Sequence, residues 1–291
     1  MKICLYRDPT AAGSPDVEAY LSQLAGVLAQ DHQVTFVSSL TALRDRLRRD
    51  RPDVLHLNQA AGLTLARLLR TAHGRQFDRV PVALTLHDYR LRCASADVHH
   101  PDGRGCAPRL RCRPVSAINR LVTDSIGLVH SPSQYVLDRH LEQGFFPRAT
   151  HLVLPYGSGD GSSAAEPAAS TRPFVETDCV VIAARSPMNA PLAIHRAFQA
   201  GKIVIASRNG GIPEVVRDGV NGLLVEPGDD RAVARAIERL RQSPELVQHL
   251  RTESRRSARL YDLAFHAAHL VHAYEQLIAT NRVGPFKQAA A

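Results

Sequence analysis

Ala200-Gly201-Lys202-Ile203-Val204-Ile205-Ala206-Ser207-Arg208-Asn209-Gly210-Gly211-Ile212-Pro213-Glu214-Val215-Val216, running on through Asp218-Gly219-Val220-Asn221-Gly222-Leu223-Leu224-Val225 to Pro227-Gly228-Asp229, is the stretch from which the fold is read. Ile203 to Ala206 is an unbroken, β-branched apolar run, the pattern of a parallel strand covered on both faces. Asn209-Gly210-Gly211 supplies positions that tolerate a left-handed backbone, and Pro213 suits the start of a short helix. A tight strand-to-helix turn that holds no ligand satisfies the same pattern, so spacing alone leaves both readings open.

Outward from that stretch the same alternation recurs. Lys2–Tyr6 reads as a strand, and Asp16 reads as the cap of a helix to about Gln30 with Val17, Tyr20, Leu21, Leu24 and Leu28 on one face. Strands at Gln33–Ser38, Asp53–Asn58 and Pro81–His87 alternate with helices at Leu40–Arg49 and Leu63–Ala72. Such alternation indicates βαβ units and a mainly parallel sheet, whose ligands bind outside the carboxyl ends of the strands. The rule selects Arg7–Ser14, Ser38, His56–Gln59 and His87–Tyr89. Further on, Ser116–Asp124 reads as a helix and Gly127–His130 as a strand. Ser131-Pro132-Ser133-Gln134 reads as a capping box with Pro132 first in its helix, and Thr150–Leu154 as a last strand.

The irregular segment from Arg90 to Pro114 carries Cys93, Cys106 and Cys112 with His99 and His100 between them. A loop of that length in a compact domain has a function or is disordered. Zinc needs four ligands, and no close Cys-x-x-Cys pair is present, so a structural zinc at Cys93, Cys106 and Cys112 is one reading that the spacing leaves open. The 291 residues suffice for two modest domains, and the net charge of +8 comes almost wholly from arginine, since Lys2, Lys202 and Lys287 are the only lysines. Arginine suits phosphate recognition, but no basic run is interleaved with aromatics, so nucleic acid is not an expected partner. A peripheral membrane contact stays open. No run approaches a membrane span and the apolar start is too brief for a signal peptide, which places the expected location in the cytoplasm.

Taken whole, the landmarks from Ala200 to about Leu240 resemble the C-terminal domain of family 4 glycosyltransferases, retaining enzymes of the GT-B fold that take a sugar from a nucleotide donor. Val54-Leu55-His56-Leu57-Asn58, Leu84-Thr85-Leu86-His87-Asp88 and the crossover Pro155-Tyr156-Gly157 resemble the family's first domain. The resemblance implies an α/β, GT-B-like fold of two Rossmann-like domains with mainly parallel sheets, the second truncated. The expected division is a first, acceptor-side domain over 1–156, a flexible linker over 157–173 and a shortened donor-side domain over 174–265. A helix over 266–283 returns to the first domain, and 284–291 form a tail.

It further implies a catalytic role for His87 beside the transferred sugar, donor contacts at Arg185, Asn189, Arg196, Asn209, Gly210 and Gly211, and acceptor contacts at Gly13 and His56. The implied partners are a nucleotide sugar and a glycan, lipid or natural-product acceptor, with no metal cofactor required. The chain departs from the pattern after Gly157. The family's diphosphate-holding Arg and Lys have no counterpart, its two glutamates fall at Met188 and Arg196, and a glycine falls at Pro191. Two losses of charged hydrogen bonds at about 1.5–3 kcal/mol each would weaken a standard donor roughly a hundredfold or more. A degenerate relative that binds a sugar or a partner protein is therefore the alternative expectation.

Overall fold

The computed structural model describes residues 1–8, 15–74, 80–93, 112–159, 179–189 and 191–283. Six parallel strands form the first sheet: β1 (Lys2–Arg7), β2 (Gln33–Val37), β3 (Val54–Asn58), β4 (Val82–Thr85), β5 (Leu128–Ser131) and β6 (Thr150–Val153), ordered β2-β1-β3-β4-β5-β6. Between them run α1 (Pro15–Leu28), α2 (Leu40–Arg49), α3 (Gly62–Ala72), α4 (Cys112–Thr123) and α5 (Gln134–Leu141). The central strands β3, β4 and β5 are buried at every residue, as parallel strands covered on both faces must be.

Successive residues along a strand serve opposite faces. Cys4, Tyr6, Leu55, Leu57, Val82 and Leu84 pack under α2 and α3, while Ile3, Leu5, Val54 and Ala83 pack under α1 and a C-terminal helix. That helix, α10 (Leu263–Val283), lies against α1 and β5 and buries Leu270 and Tyr274 completely.

A second, three-stranded parallel sheet has the order β7-β8-β9, from β7 (Cys179–Ile182), β8 (Ile203–Ser207) and β9 (Gly222–Val225). It is flanked by α6 (Leu192–Gln199), α7 (Ile212–Val215), α8 (Asp230–Gln242) and α9 (Pro244–Ala258). Both faces of β8 are covered: Val204 and Ala206 pack with Phe198 and Ile212, and Ile203 and Ile205 pack with Leu240 and Leu250. The strand that the opening apolar run specifies is thus the centre of its sheet. No helix among the described residues is long and apolar enough to cross a membrane.

Three helix starts differ from expectation: α4 begins at Cys112, ahead of Ser116 and inside the segment expected to be irregular. Asp16 is the second residue of α1 rather than its cap, and its carboxylate pairs with Arg196 of α6. Helix α5 begins at Gln134, and its cap is Ser133, whose hydroxyl accepts from Val136 N. Pro132 therefore lies outside the helix, and Ser131 Oγ donates to the Ser133 carbonyl instead of capping. The expected linker from residue 160 onward and the tail 284–291 lie outside the described residues.

Candidate functional site

The segments after β4 and β5 meet the loops that follow β7 and β8, and the candidate site is built there. In the first domain, β3 ends in Asn58 and Gln59, the latter at φ 57°, and β4 leads into Leu86-His87. A left-handed glutamine at a strand end is uncommon backbone held in place by its surroundings. In the second domain β7 leads into 183–189 and β8 into Arg208–Gly211.

His87 is buried, and both of its ring nitrogens have partners. Nε2 lies 2.9 Å from Asn58 Oδ1, and Nδ1 lies 2.7 Å from the Tyr156 hydroxyl. An amide oxygen only accepts, so the proton sits on Nε2 and Tyr156 donates to Nδ1. Burial is the largest cause that holds this imidazole well below its ordinary pKa and keeps it neutral, and a proton here would also be disfavoured beside His130, His56 and Arg90. The ring therefore points into the domain. The His87 carbonyl is the group that faces the other domain, together with that of Leu86.

Those two carbonyls are met by Asn189. Its Nδ2 donates to Leu86 O at 2.9 Å and to His87 O at 3.3 Å, and its Oδ1 accepts from Ser133 Oγ at 2.9 Å. Gly211 N donates to Met188 O at 2.8 Å, joining the loop of Asn189 to the glycine turn. Gly210 sits at φ 60°, and a Cβ built on it would lie 2.3 Å from Met188 O. The close backbone approach that the Asn209-Gly210-Gly211 turn permits is thus used by the chain's own residue 188. Asn209 Nδ2 reaches Arg185 O at 3.3 Å, and the exposed Arg185 side chain lies 3.7 Å from the exposed Asp230 carboxylate.

Arg196, where the resemblance leads one to expect a glutamate, projects from α6 and pairs with Asp16 of α1 at 3.2 Å, both side chains roughly a quarter exposed. Next to it, His195 is completely buried, its ring stacked on Tyr261 with centroids 4.3 Å apart. Burial lowers its pKa to about 3.

His56 does not line the site. It is fully enclosed, with Nε2 2.6 Å from Thr85 Oγ1 and Nδ1 2.6 Å from the Tyr274 hydroxyl, so both nitrogens serve the core and none is left for an acceptor. Gly13 and Cys106 lie outside the described residues, as does the Cys112 side chain. Cys93 is buried, and among the described residues no three metal-capable side chains gather.

Asn58 falls within the selected strand end His56–Gln59 without a role of its own, and sequence reasoning passes over Ser133, Tyr156 and Glu214 as site residues. Glu214 reaches across to α5, its two oxygens each 2.7 Å from the backbone N–H groups of Gln134 and Tyr135. A signal existed for it. Helix α5 has no acid in its own first turn, and Glu214 is the only acid between Ala200 and Val216.

With this geometry in hand, comparison with known proteins gives two family matches. Residues 4–157, more than half of the chain, match the family described as glycosyl transferase 4-like domain. Residues 168–243 match the family described as glycosyl transferases group 1. A stretch of 54 residues is 48% identical to the putative glycosyltransferase EpsD of Bacillus subtilis and covers 19% of this chain. A stretch of the same length is 44% identical to a D-inositol 3-phosphate glycosyltransferase of Streptomyces griseus. The matched stretches span only 14% and 11% of those relatives' lengths. Among solved structures, HepE of Anabaena in complex with UDP and glucose is similar with a TM-score of 0.65 at 13% identity, over 95% of this chain and 100% of that one. Sucrose-phosphate synthase of Thermosynechococcus elongatus is similar at 0.69 and 15% identity, over 96% of this chain and 100% of that one. At those identities the likeness is one of fold.

Proposed function

The chain belongs to the glycosyl transferase 4-like family, and from that premise we propose that it moves a sugar from a nucleotide-sugar donor to an acceptor seated on the first domain. Its architecture is of the GT-B type with mainly parallel sheets and a shortened second domain. The observation that carries the proposal is the meeting of the two halves at one point. Asn189, joined to the glycine turn through Met188, touches the Leu86 and His87 carbonyls at the end of β4.

In this reading the first domain contributes the two carbonyl oxygens, which face the place where positive charge develops at an anomeric carbon, and the His87 ring holds that strand end rather than exchanging a proton. Asn58 and Tyr156 fix the ring from either side. Similarity to a structure holding UDP and glucose supports a uridine nucleotide as the first donor to try. Retention of configuration, independence of metal and the division into an acceptor-side and a donor-side domain belong to the same proposal.

A second reading is favoured by one specific feature. At the family's two glutamate positions stand Met188, whose backbone carbonyl is bonded to Gly211 N, and Arg196, which is paired to Asp16. A chain whose donor-contact positions are bonded to itself fits a non-catalytic relative that binds a sugar or a partner transferase. A thermal-shift panel with UDP, GDP and ADP, followed by donor hydrolysis in the presence of candidate acceptors, separates the two. A saturable rise in melting temperature with one nucleotide and release of that nucleotide from its sugar conjugate is expected for the transferase. Flat melting curves with all three would leave the second reading standing.

A further inference from the structure

We propose that Asn189 and Glu214 form a latch between the domains, so that donor entry requires their release. The two residues belong to one unit of the second domain. Met188 O accepts from Gly211 N, and Glu214 follows three residues later in α7, so the loop 185–189 and the segment 209–214 are joined by a backbone hydrogen bond.

Both residues grip the same part of the first domain. Asn189 takes the carbonyls after β4 and the Ser133 hydroxyl. Glu214 takes the first two N–H groups of α5. The chemistry is complementary at each point. An amide NH2 serves two carbonyls just beyond the end of β4, and a carboxylate serves a helix start whose own first turn has no acid. These are also the kinds of group that a sugar hydroxyl and a charged phosphate would engage, so the protein's own side chains satisfy what a donor would otherwise satisfy. Arg196 with Asp16 adds a third contact between the domains on the far side of α6.

The latch as a contact stands independently of which nucleotide binds, while its control over donor entry rests on the sugar-transfer reading. The test uses the full chain as wild type, Glu214→Gln and the double variant Asn189→Ala with Glu214→Ala. Amide exchange at Gln134 and Tyr135, small-angle scattering, and the affinity for UDP, GDP and ADP are measured on each. Loss of one charge-assisted hydrogen bond corresponds to about a tenfold change. Accordingly, the two amides should exchange at least about tenfold faster in both variants, because each gives up the charged acceptor. The double variant should also expand in solution and bind one nucleotide at least about tenfold more tightly than wild type. Faster exchange and expansion with unchanged affinity for all three nucleotides would support the latch and overturn its role in donor entry. Unchanged exchange and unchanged scattering in a folded variant would overturn the latch itself. Should the double variant not fold, exchange in Glu214→Gln decides the matter alone.

Discussion

The hydroxyl of Tyr274 lies 2.6 Å from Nδ1 of His56, joining α10 to the centre of the first sheet across 218 residues of chain. It is the first link in a row that fixes every proton. His130 Nε2 faces the Leu154 carbonyl at 2.8 Å and must donate, so His130 Nδ1 accepts from Thr85 Oγ1 at 3.0 Å. Thr85 then accepts from His56 Nε2 at 2.6 Å, and His56 Nδ1 accepts from Tyr274. One direction of donation runs from α10 through β3, β4 and β5 to the end of β6. A second anchor sits beside it, where His266 Nδ1 donates to Pro155 O and Nε2 accepts from Tyr20.

Substitutions along this row should rank by the number of buried partners they strand. Tyr274→Phe leaves one acceptor, His56 Nδ1, without a donor and should cost about 1–3 kcal/mol. Thr85→Val keeps the shape but strands a donor on His56 and an acceptor on His130, so its cost should exceed that of Tyr274→Phe. Urea unfolding of the two variants checks the order. Equal or reversed costs would show that the row does not act as a single hydrogen-bonded unit.

The same histidines make stability depend on pH. Burial is the largest cause in each case, and it lowers His56 to about 3 and His130 to about 4, against about 6.5 for an imidazole in the unfolded chain. Between those values the unfolded state binds more protons than the folded one, so stability is fully present above about pH 6.5 and falls as the pH drops through the window. At pH 5 each such histidine removes about 2 kcal/mol, and His56 with His130 together about 4 kcal/mol, against a total of about 5–15 kcal/mol for a typical domain. His140 and His195, lowered to about 4 and about 3, act in the same direction. Urea midpoints at pH 7.5 and pH 5 should differ clearly, with the acid sample weaker. Coincident curves would contradict the neutral, buried state assigned to these rings.

Gly210→Ala tests the contact between the glycine turn and residue 188. The new Cβ would meet backbone atoms, Met188 O at 2.3 Å and Met188 N at 2.7 Å, at a φ of 60° that alanine rarely adopts. Backbone atoms cannot rotate aside, so the loop itself must shift, with a cost of about 1–3 kcal/mol. The expected readout is a lower melting temperature, with faster amide exchange at Gly211, whose N–H loses Met188 O. A variant that melts with wild type would mean the loop 185–189 yields freely.

Local pattern carried most of the architecture and little of the site. The apolar run Ile203–Ala206 and the alternation through β1 to β6 are legible because burial on two faces leaves its mark on each strand separately. The start of α5 was misplaced by Pro132 because serine can cap from either side of the proline, and only the Ser133 to Val136 bond settles which one does. The histidines mislead for a different reason. His56 and His87 look alike at strand ends, and their chemistry is set by Tyr274, Thr85, Asn58 and Tyr156, residues up to 218 positions away. Glu214 was inside the stretch that identified the family, but its partners lie 79 and 80 residues back in the other domain.

Arg196 offers the sharpest separation between architecture and ligand contact. Its guanidinium meets the Asp16 carboxylate at 3.2 Å with both side chains about three-quarters buried, so the pair is less screened than a surface ion pair. Arg196→Glu would set two carboxylates against each other and should destabilise the fold by about 1 kcal/mol or more, whereas Arg196→Glu combined with Asp16→Arg restores the attraction with the charges exchanged. If the pair serves to hold α6 against α1, the exchanged variant recovers stability and keeps whatever nucleotide affinity the wild type has. If Arg196 instead holds a donor phosphate, the exchanged variant recovers stability while its affinity falls about tenfold or more, because a carboxylate now faces the phosphate. Melting temperature and nucleotide titration on the same three proteins distinguish the two, since stability reports the ion pair and affinity reports the phosphate.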